Sequence, residues 1–211
     1  MDTIAKKYKN ALSGSKKIIG INGSPRKNGN SDILLKQILK GAKETNVSAK
    51  RIYLRDFQFQ SCAGCEKCRK DKICTGLNDG MTLLYPKIIE SQGLVIISPT
   101  HNYNVTALIK AFIDRLYCFY NFTKDRPGPW SSNLAGQGRK AVLIAVCEQK
   151  SKKDMGFTLD AMRLPIKALG FDIIAELPVL KVFDRGKIRE NKEILAKALK
   201  LGKNLATLLN K

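Results

Sequence analysis

Apolar residues fall into five short runs separated by amphipathic stretches. The runs are Ile18-Ile19-Gly20-Ile21, Ala49-Lys50-Arg51-Ile52-Tyr53-Leu54, Gly93 to Ser98, Lys140 to Cys147, and Phe171 to Val179. Four to eight apolar residues bounded by polar or glycine positions suit a strand buried on both faces. Between them, Ile33, Leu34, Leu35, Ile38, Leu39 and Ala42 recur at helical spacing. This predicts a helix over about 31–45. Further helices are expected over Met81–Glu90 (with Pro86 as an irregularity), Ala107–Tyr120, Met155–Leu169 and Lys187–Asn210. Gln58–Gly80 and Lys124–Arg139 read as irregular. Ile4, Tyr8 and Leu12 suggest a helical arm within an N-terminal extension, 1–15, ahead of a single domain, 16–211.

Strands alternating with helices call for an open parallel sheet with helices on both faces, an α/β doubly wound architecture. In such sheets ligands sit beyond the C-terminal ends of the strands. Two loops and the residues after Cys147 fall there. The first, Asn22 to Ser31, is rich in Gly, Ser and Asn and opens a helix. Gly23 and Gly29 let a backbone approach an anion, Ser24, Asn28, Asn30 and Ser31 can hydrogen-bond it, and Arg26 and Lys27 add charge. It matches neither the Walker nor the G-x-G-x-x-G pattern. An ordinary well-capped turn is the competing reading. The second loop, Pro99-Thr100-His101-Asn102-Tyr103-Asn104-Val105, offers amides, one ring and polar side chains to something flat. His101 is the only histidine, and no G-x-S-x-G elbow accompanies it.

Composition adds a cysteine problem and a charge problem. Four of the six cysteines, Cys62, Cys65, Cys68 and Cys74, follow the spacing C-x2-C-x2-C-x5-C. That spacing suits one cubane cluster. Zinc, usually held by two separated C-x2-C pairs, and free thiols are the alternatives. Lys67, Arg69, Lys70 and Lys72 are expected to surround the thiolates and offset their charge. Cys118 and Cys147 read as core residues. The formal charge is +20. It fits a solvated surface, an acidic protein partner, or nucleic acid. Aromatic residues are only 7%, which disfavours base stacking. A basic zinc-holding nucleic-acid module is the weakest reading. No apolar run has the length of a membrane span, and the first residues lack a signal-peptide pattern, so a cytoplasmic protein is expected.

The loop GSPRKNGNS, the motif C-x-G-C-x-x-C-x5-C followed by Asp79-Gly80-Met81, and the run PTHNYNVTALIKAFIDR together resemble the NADPH-dependent FMN reductase family, and within it the iron–sulfur flavoproteins. The resemblance covers about Lys17 to Asp184. It implies a flavodoxin-like five-stranded sheet of order 2-1-3-4-5 with a cysteine-rich insertion (58–80) after strand two. It implies FMN, with Ser24, Arg26, Asn28, Asn30 and Ser31 at its phosphate and Pro99 to Val105 along its ring and ribityl chain. It also implies a 4Fe–4S cluster on Cys62, Cys65, Cys68 and Cys74, homo-oligomers, and an acidic carrier such as ferredoxin. The activity expected is an FMN-dependent electron-transfer oxidoreductase. The alternative is an NAD(P)H-dependent FMN or quinone reductase without a cluster. Two departures from the resemblance are evident: Cys147-Glu148-Gln149-Lys150 stands where the family often has a glycine-rich flavin loop, and His101 and Asn102 stand where it frequently has aromatics.

Overall fold

The computed structural model describes residues 15–211, so the expected arm over residues 1–14 lies outside the described residues. Strands β1 (Lys17–Asn22), β2 (Ser48–Tyr53) and β3 (Gly93–Pro99) are followed by a separate pair, β4 (Tyr120–Phe122) and β5 (Trp130–Ser132), then β6 (Lys140–Val146) and β7 (Asp172–Val179). The main sheet has five parallel strands in the order β2-β1-β3-β6-β7. Counting only its own strands, that is 2-1-3-4-5, the flavodoxin-like arrangement. Ile52, Ile21, Ile96 and Leu143 stand side by side across it.

Strand parity divides the core. Ile19, Ile21, Leu94, Ile96 and Leu143 face one layer, with α3 (Tyr85–Ile89), α4 (Ala107–Arg115) and α5 (Thr158–Ala168). Ile18, Val95, Ile97, Val142 and Ile144 face the other, with α1 (Asn30–Lys43) and α6 (Lys192–Leu209). Burial on both faces explains why these strands are apolar throughout rather than alternating. Helices α1 and α6 cross with backbones almost touching. A Cβ on Gly41 would stand 2.0 Å from the Leu199 carbonyl oxygen, and one on Gly202 would stand 1.8 Å from that of Ile38.

Several expectations need correction. The helix expected over 81–90 is a 3-10 turn, Gly80–Leu83, followed by α3, because Pro86 can occupy only the first turn of a helix. The helix from Ala107 stops at Arg115 and tightens into a 3-10 turn, Leu116–Phe119. The C-terminal helix likewise begins as a 3-10 turn, Lys187–Glu190, and restarts at Lys192 under an Asn191 cap. The stretch read as irregular between Lys124 and Arg139 contributes β5, which pairs antiparallel with β4. Within the cysteine segment lies a short helix, α2 (Lys67–Asp71). Among the described residues no helix is long and apolar enough to cross a membrane.

Candidate functional site

Two loops meet at the C-terminal edge of the sheet and form a cleft. Its walls include Ser24, Arg26, Gly29, Asn30 and Ser31 from the first loop and Pro99, Thr100 and His101 from the second. The β1–α1 loop is held from within. Asp32, buried in the first turn of α1, accepts hydrogen bonds from Asn22 Nδ2 (2.8 Å), the Asn28 amide (2.7 Å) and both terminal nitrogens of Arg55 (2.9 and 2.8 Å). Arg55 also donates to the carbonyls of Ser24 and Arg26. A paired buried carboxylate of this kind costs about 3–5 kcal/mol to break, so the loop has its shape before any ligand arrives.

The residues predicted for this loop divide by use. Asn30 is spent on the protein: its amide nitrogen donates to the Asp184 carbonyl (2.9 Å), and its oxygen accepts from the Ile188 amide (3.2 Å). Asn28 is exposed, holds a left-handed turn (φ 55°) and does not line the cleft. Ser24 is buried and accepts from the Arg26 amide (3.2 Å). Arg26 stacks its guanidinium on Phe183, 4.6 Å from the ring centre. Ser31 is buried, lines the cleft, and makes no side-chain hydrogen bond among the described residues. Gly29, the N-cap of α1, provides no side-chain cap. The first-turn N–H groups and the Ser31 hydroxyl therefore suit an oxyanion.

The second loop also splits. Asn102 and Tyr103 have φ of 47° and 63°, and His101 and Asn104 exchange backbone hydrogen bonds (2.8 and 3.0 Å), which makes a type I′ turn. Pro99, Thr100 and His101 line the cleft, while Asn102, Tyr103 and Asn104 are exposed at the tip. Val105 is buried in the core, where β-strand exit meets α4. Thr106 joins the loops: its hydroxyl donates to the Gly23 carbonyl (2.8 Å) and caps α4 through the Ile109 amide. Glu148, Val182, Phe183 and Arg185 complete the cleft. Glu148 follows Cys147, where the sequence placed a third segment at this edge; Val182, Phe183 and Arg185 it missed, along with Asp32 and Arg55. Asp32 had a readable signal, an acidic residue in a helix's first turn. Arg185 had none, because only the fold returns the chain after β7 to this edge.

All four motif cysteines line a second cavity, with Gly76, Asp114, Arg115, Tyr117 and Tyr120 among its other walls. Gly76 clears room for the thiols: a Cβ there would stand 2.5 Å from Cys65 Sγ. Burial pushes the Cys68 thiol up, and Cys74, Cys62 and Cys65 push it the same way. The four thiols thus share one electrostatic neighbourhood. Cys118 lies below them, buried and pushed up to about 12 mainly by burial, then by Cys68 and Cys74. Yet among the described residues no three His, Cys, Asp or Glu side chains converge to hold a single metal ion. The preformed zinc centre of one reading is therefore absent from them. The basic residues of the segment also go elsewhere. Arg69 stacks on Phe122 (4.4 Å) and donates to the Thr123 carbonyl (3.0 Å). Lys67, Arg69, Lys70 and Lys72 are not among the lining residues. The cation that does line the cavity is Arg115. It is buried, and forks onto Asp79 at 2.7 and 3.1 Å.

A family model described as NADPH-dependent FMN reductase matches residues 16–152. Curated relatives include an iron-sulfur flavoprotein of Methanocaldococcus jannaschii, 33% identical over 99 residues (47% of this chain, 51% of that protein). Another is an iron-sulfur flavoprotein of Archaeoglobus fulgidus, 37% identical over 99 residues (47% and 48%). The chain spans about half the length of the curated relatives it matches. Among solved structures, an NAD(P)H:quinone oxidoreductase from Methanothermobacter marburgensis superposes with a TM-score of 0.67 at 17% identity, covering 91% of this chain and 100% of that one. An FMN-dependent NADH-azoreductase from Bacillus anthracis in complex with FMN gives 0.65 at 18% identity, covering 93% and 100%. At these identities the superpositions establish the fold.

Proposed function

The chain belongs to the NADPH-dependent FMN reductase family, and from that membership we propose that it is an FMN-dependent oxidoreductase taking electrons from NAD(P)H. The observation that carries this reading is the cleft at the sheet edge, where a helix start without a side-chain cap and the Ser31 side chain line the same space as the 99–101 strand exit. In it the α1 N–H groups and Ser31 hold the phosphate of FMN, and Arg26 and Arg185 supply positive charge. Ser24 and Asn30 keep the loop and the 183–188 segment in place around it. Pro99, Thr100 and His101 line the ring side, with exposed Tyr103 at the rim. Val105 serves the core. Bound FMN would supply two-electron chemistry with a nicotinamide and one-electron chemistry with other carriers. The chain's own task is binding, orientation and exclusion of water.

A second reading makes the protein an electron carrier with a 4Fe–4S cluster on Cys62, Cys65, Cys68 and Cys74. Two observations favour it. The four thiols and a buried cation share one cavity, and the curated relatives are named iron-sulfur flavoproteins. Among the described residues no three His, Cys, Asp or Glu side chains are placed to hold a metal ion, so this reading stands second to the reductase. A homo-oligomer and an acidic carrier partner belong to this reading. Exposed Tyr103, Trp130, Phe157 and Leu164 offer apolar area to a second copy.

Anaerobic purification with iron, sulfide and FMN counted per chain, followed by mixing with NADPH, separates the two. Stoichiometric FMN that NADPH bleaches rapidly, in protein without iron, supports the reductase. About four irons per chain, with slow NADPH bleaching, support the carrier. Protein that refuses added FMN refutes both.

A further inference from the structure

Arg115 occupies a position for which sequence reasoning had no candidate. It is the last residue of α4, its side chain is 1% exposed, and it borders the cysteine cavity. One terminal nitrogen donates to the Gln60 carbonyl (2.9 Å) and to Asp79 Oδ2 (2.7 Å); the other donates to Asp79 Oδ1 (3.1 Å). Asp79 in turn accepts from the amides of Gln60 and Met81, both at 3.0 Å. A single guanidinium–carboxylate fork therefore ties the beginning of the cysteine segment to its end. Tyr85 donates to the Arg115 carbonyl (3.2 Å), which fixes the residue from behind.

The fork does not exhaust the guanidinium. Its Nε–H is buried without a hydrogen-bond partner among the described residues, a costly state for a charged group. Cys74 is within electrostatic reach of it. The acidic residues of the cavity wall are already committed: Asp114 to Lys110 (2.6 Å) and Glu66 to Arg126. Among the lining residues Arg115 is thus the counter-charge available to the thiolates, in place of the lysines that flank them in sequence.

We infer that Arg115 is the positioning and tuning residue of the four-cysteine site: it clamps the segment through Asp79 and sets the site's reduction potential with its buried charge. The inference rests on the cluster reading above. One added electron, taken from an external reductant and unaccompanied by a proton, makes a four-thiolate cluster one unit more negative. A buried cation stabilises that state, and net charge around a cluster is among the determinants of its potential.

The test uses full-length protein, reconstituted with iron and sulfide under anaerobic conditions, in a spectroelectrochemical titration of the cluster. Arg115→Met is expected to lower the potential while retaining iron. Asp79→Asn is expected to raise it, because it removes the anion that partly cancels Arg115. Arg115→Lys keeps the charge but loses the fork and Nε, and is expected to fall between Arg115→Met and wild type. A merely structural clamp predicts the opposite pattern: Arg115→Met and Asp79→Asn would both loosen the segment, shift alike and lose iron alike. Either that result or unmoved potentials in iron-replete variants overturns the inference alone. Wild-type protein that takes up no iron overturns the cluster reading and the inference with it. Should Arg115→Met fail to fold, the signs for Asp79→Asn and Arg115→Lys still decide.

Discussion

Asn30 and Ser31 are neighbours, both buried at the start of the same helix, and composition ranks them equally as phosphate ligands. Their hydrogen bonds separate them. Asn30 spends its amide on Asp184 and Ile188, whereas the Ser31 side chain lines the cleft with no hydrogen-bond partner among the described residues. Ser31→Ala should therefore weaken FMN binding about tenfold or more, from the loss of roughly 1.5–3 kcal/mol of charge-assisted hydrogen bonding, with little change in Tm. Asn30→Ala should instead lower Tm first. Equal FMN affinity in Ser31→Ala, measured by flavin fluorescence titration, would remove that residue from the phosphate site. The same distinction explains what was legible here. Residue types predicted a polar anion-ready loop, and the loop exists. Which atoms remain available after the loop has satisfied itself depends on Asp32 and Arg55, and Arg55 arrives from the 3-10 turn after β2, Leu54–Asp56.

Elements with a clear period were readable, and those without one were not. The five strands stand within about a residue of their expected bounds, and the long amphipathic helices start or stop up to about five residues inside theirs. The β4–β5 hairpin was missed because each strand has only three residues and no alternation to read. It nevertheless matters to the cysteine segment. Phe122 of β4 receives Arg69, and Trp130 of β5 packs edge-on against Tyr120 at 5.2 Å. Helix α4 joins the two candidate sites. Thr106 at its start bonds the β1–α1 loop, and Arg115 at its end holds the cysteine segment, about 13 Å away at 1.5 Å per residue. The α1–α6 contact is a separate element-scale dependence. Gly202→Ala places a methyl against the Ile38 carbonyl. It should destabilise by about 1–3 kcal/mol or more through overpacking, seen as a lower urea midpoint. An unchanged midpoint would mean that the two helices separate at no cost.

At the scale of the whole molecule, 38 Lys and Arg against 18 Asp and Glu give the +20 surface. If that surface docks an acidic one-electron carrier, the rate of electron exchange should fall severalfold from low to high salt, as screening shortens to a Debye length of about 10 Å at 0.1 M. A rate independent of salt would leave the charge to solubility alone. The sequence by itself determined the α/β class, the positions of the buried strands, the location of both ligand loops and the compact cysteine motif, because each is written in local periodicity, turn chemistry or spacing. Only the tertiary structure decided which groups share a site. It brought Arg185 and Phe183 to the cleft, tied Asn30 and Val105 into the scaffold, left the flanking lysines off the wall of the cysteine cavity and put Arg115 on it. The physical reason is that charge and hydrogen-bond satisfaction are properties of neighbours in space, and in a parallel sheet with crossover helices those neighbours come from distant parts of the chain.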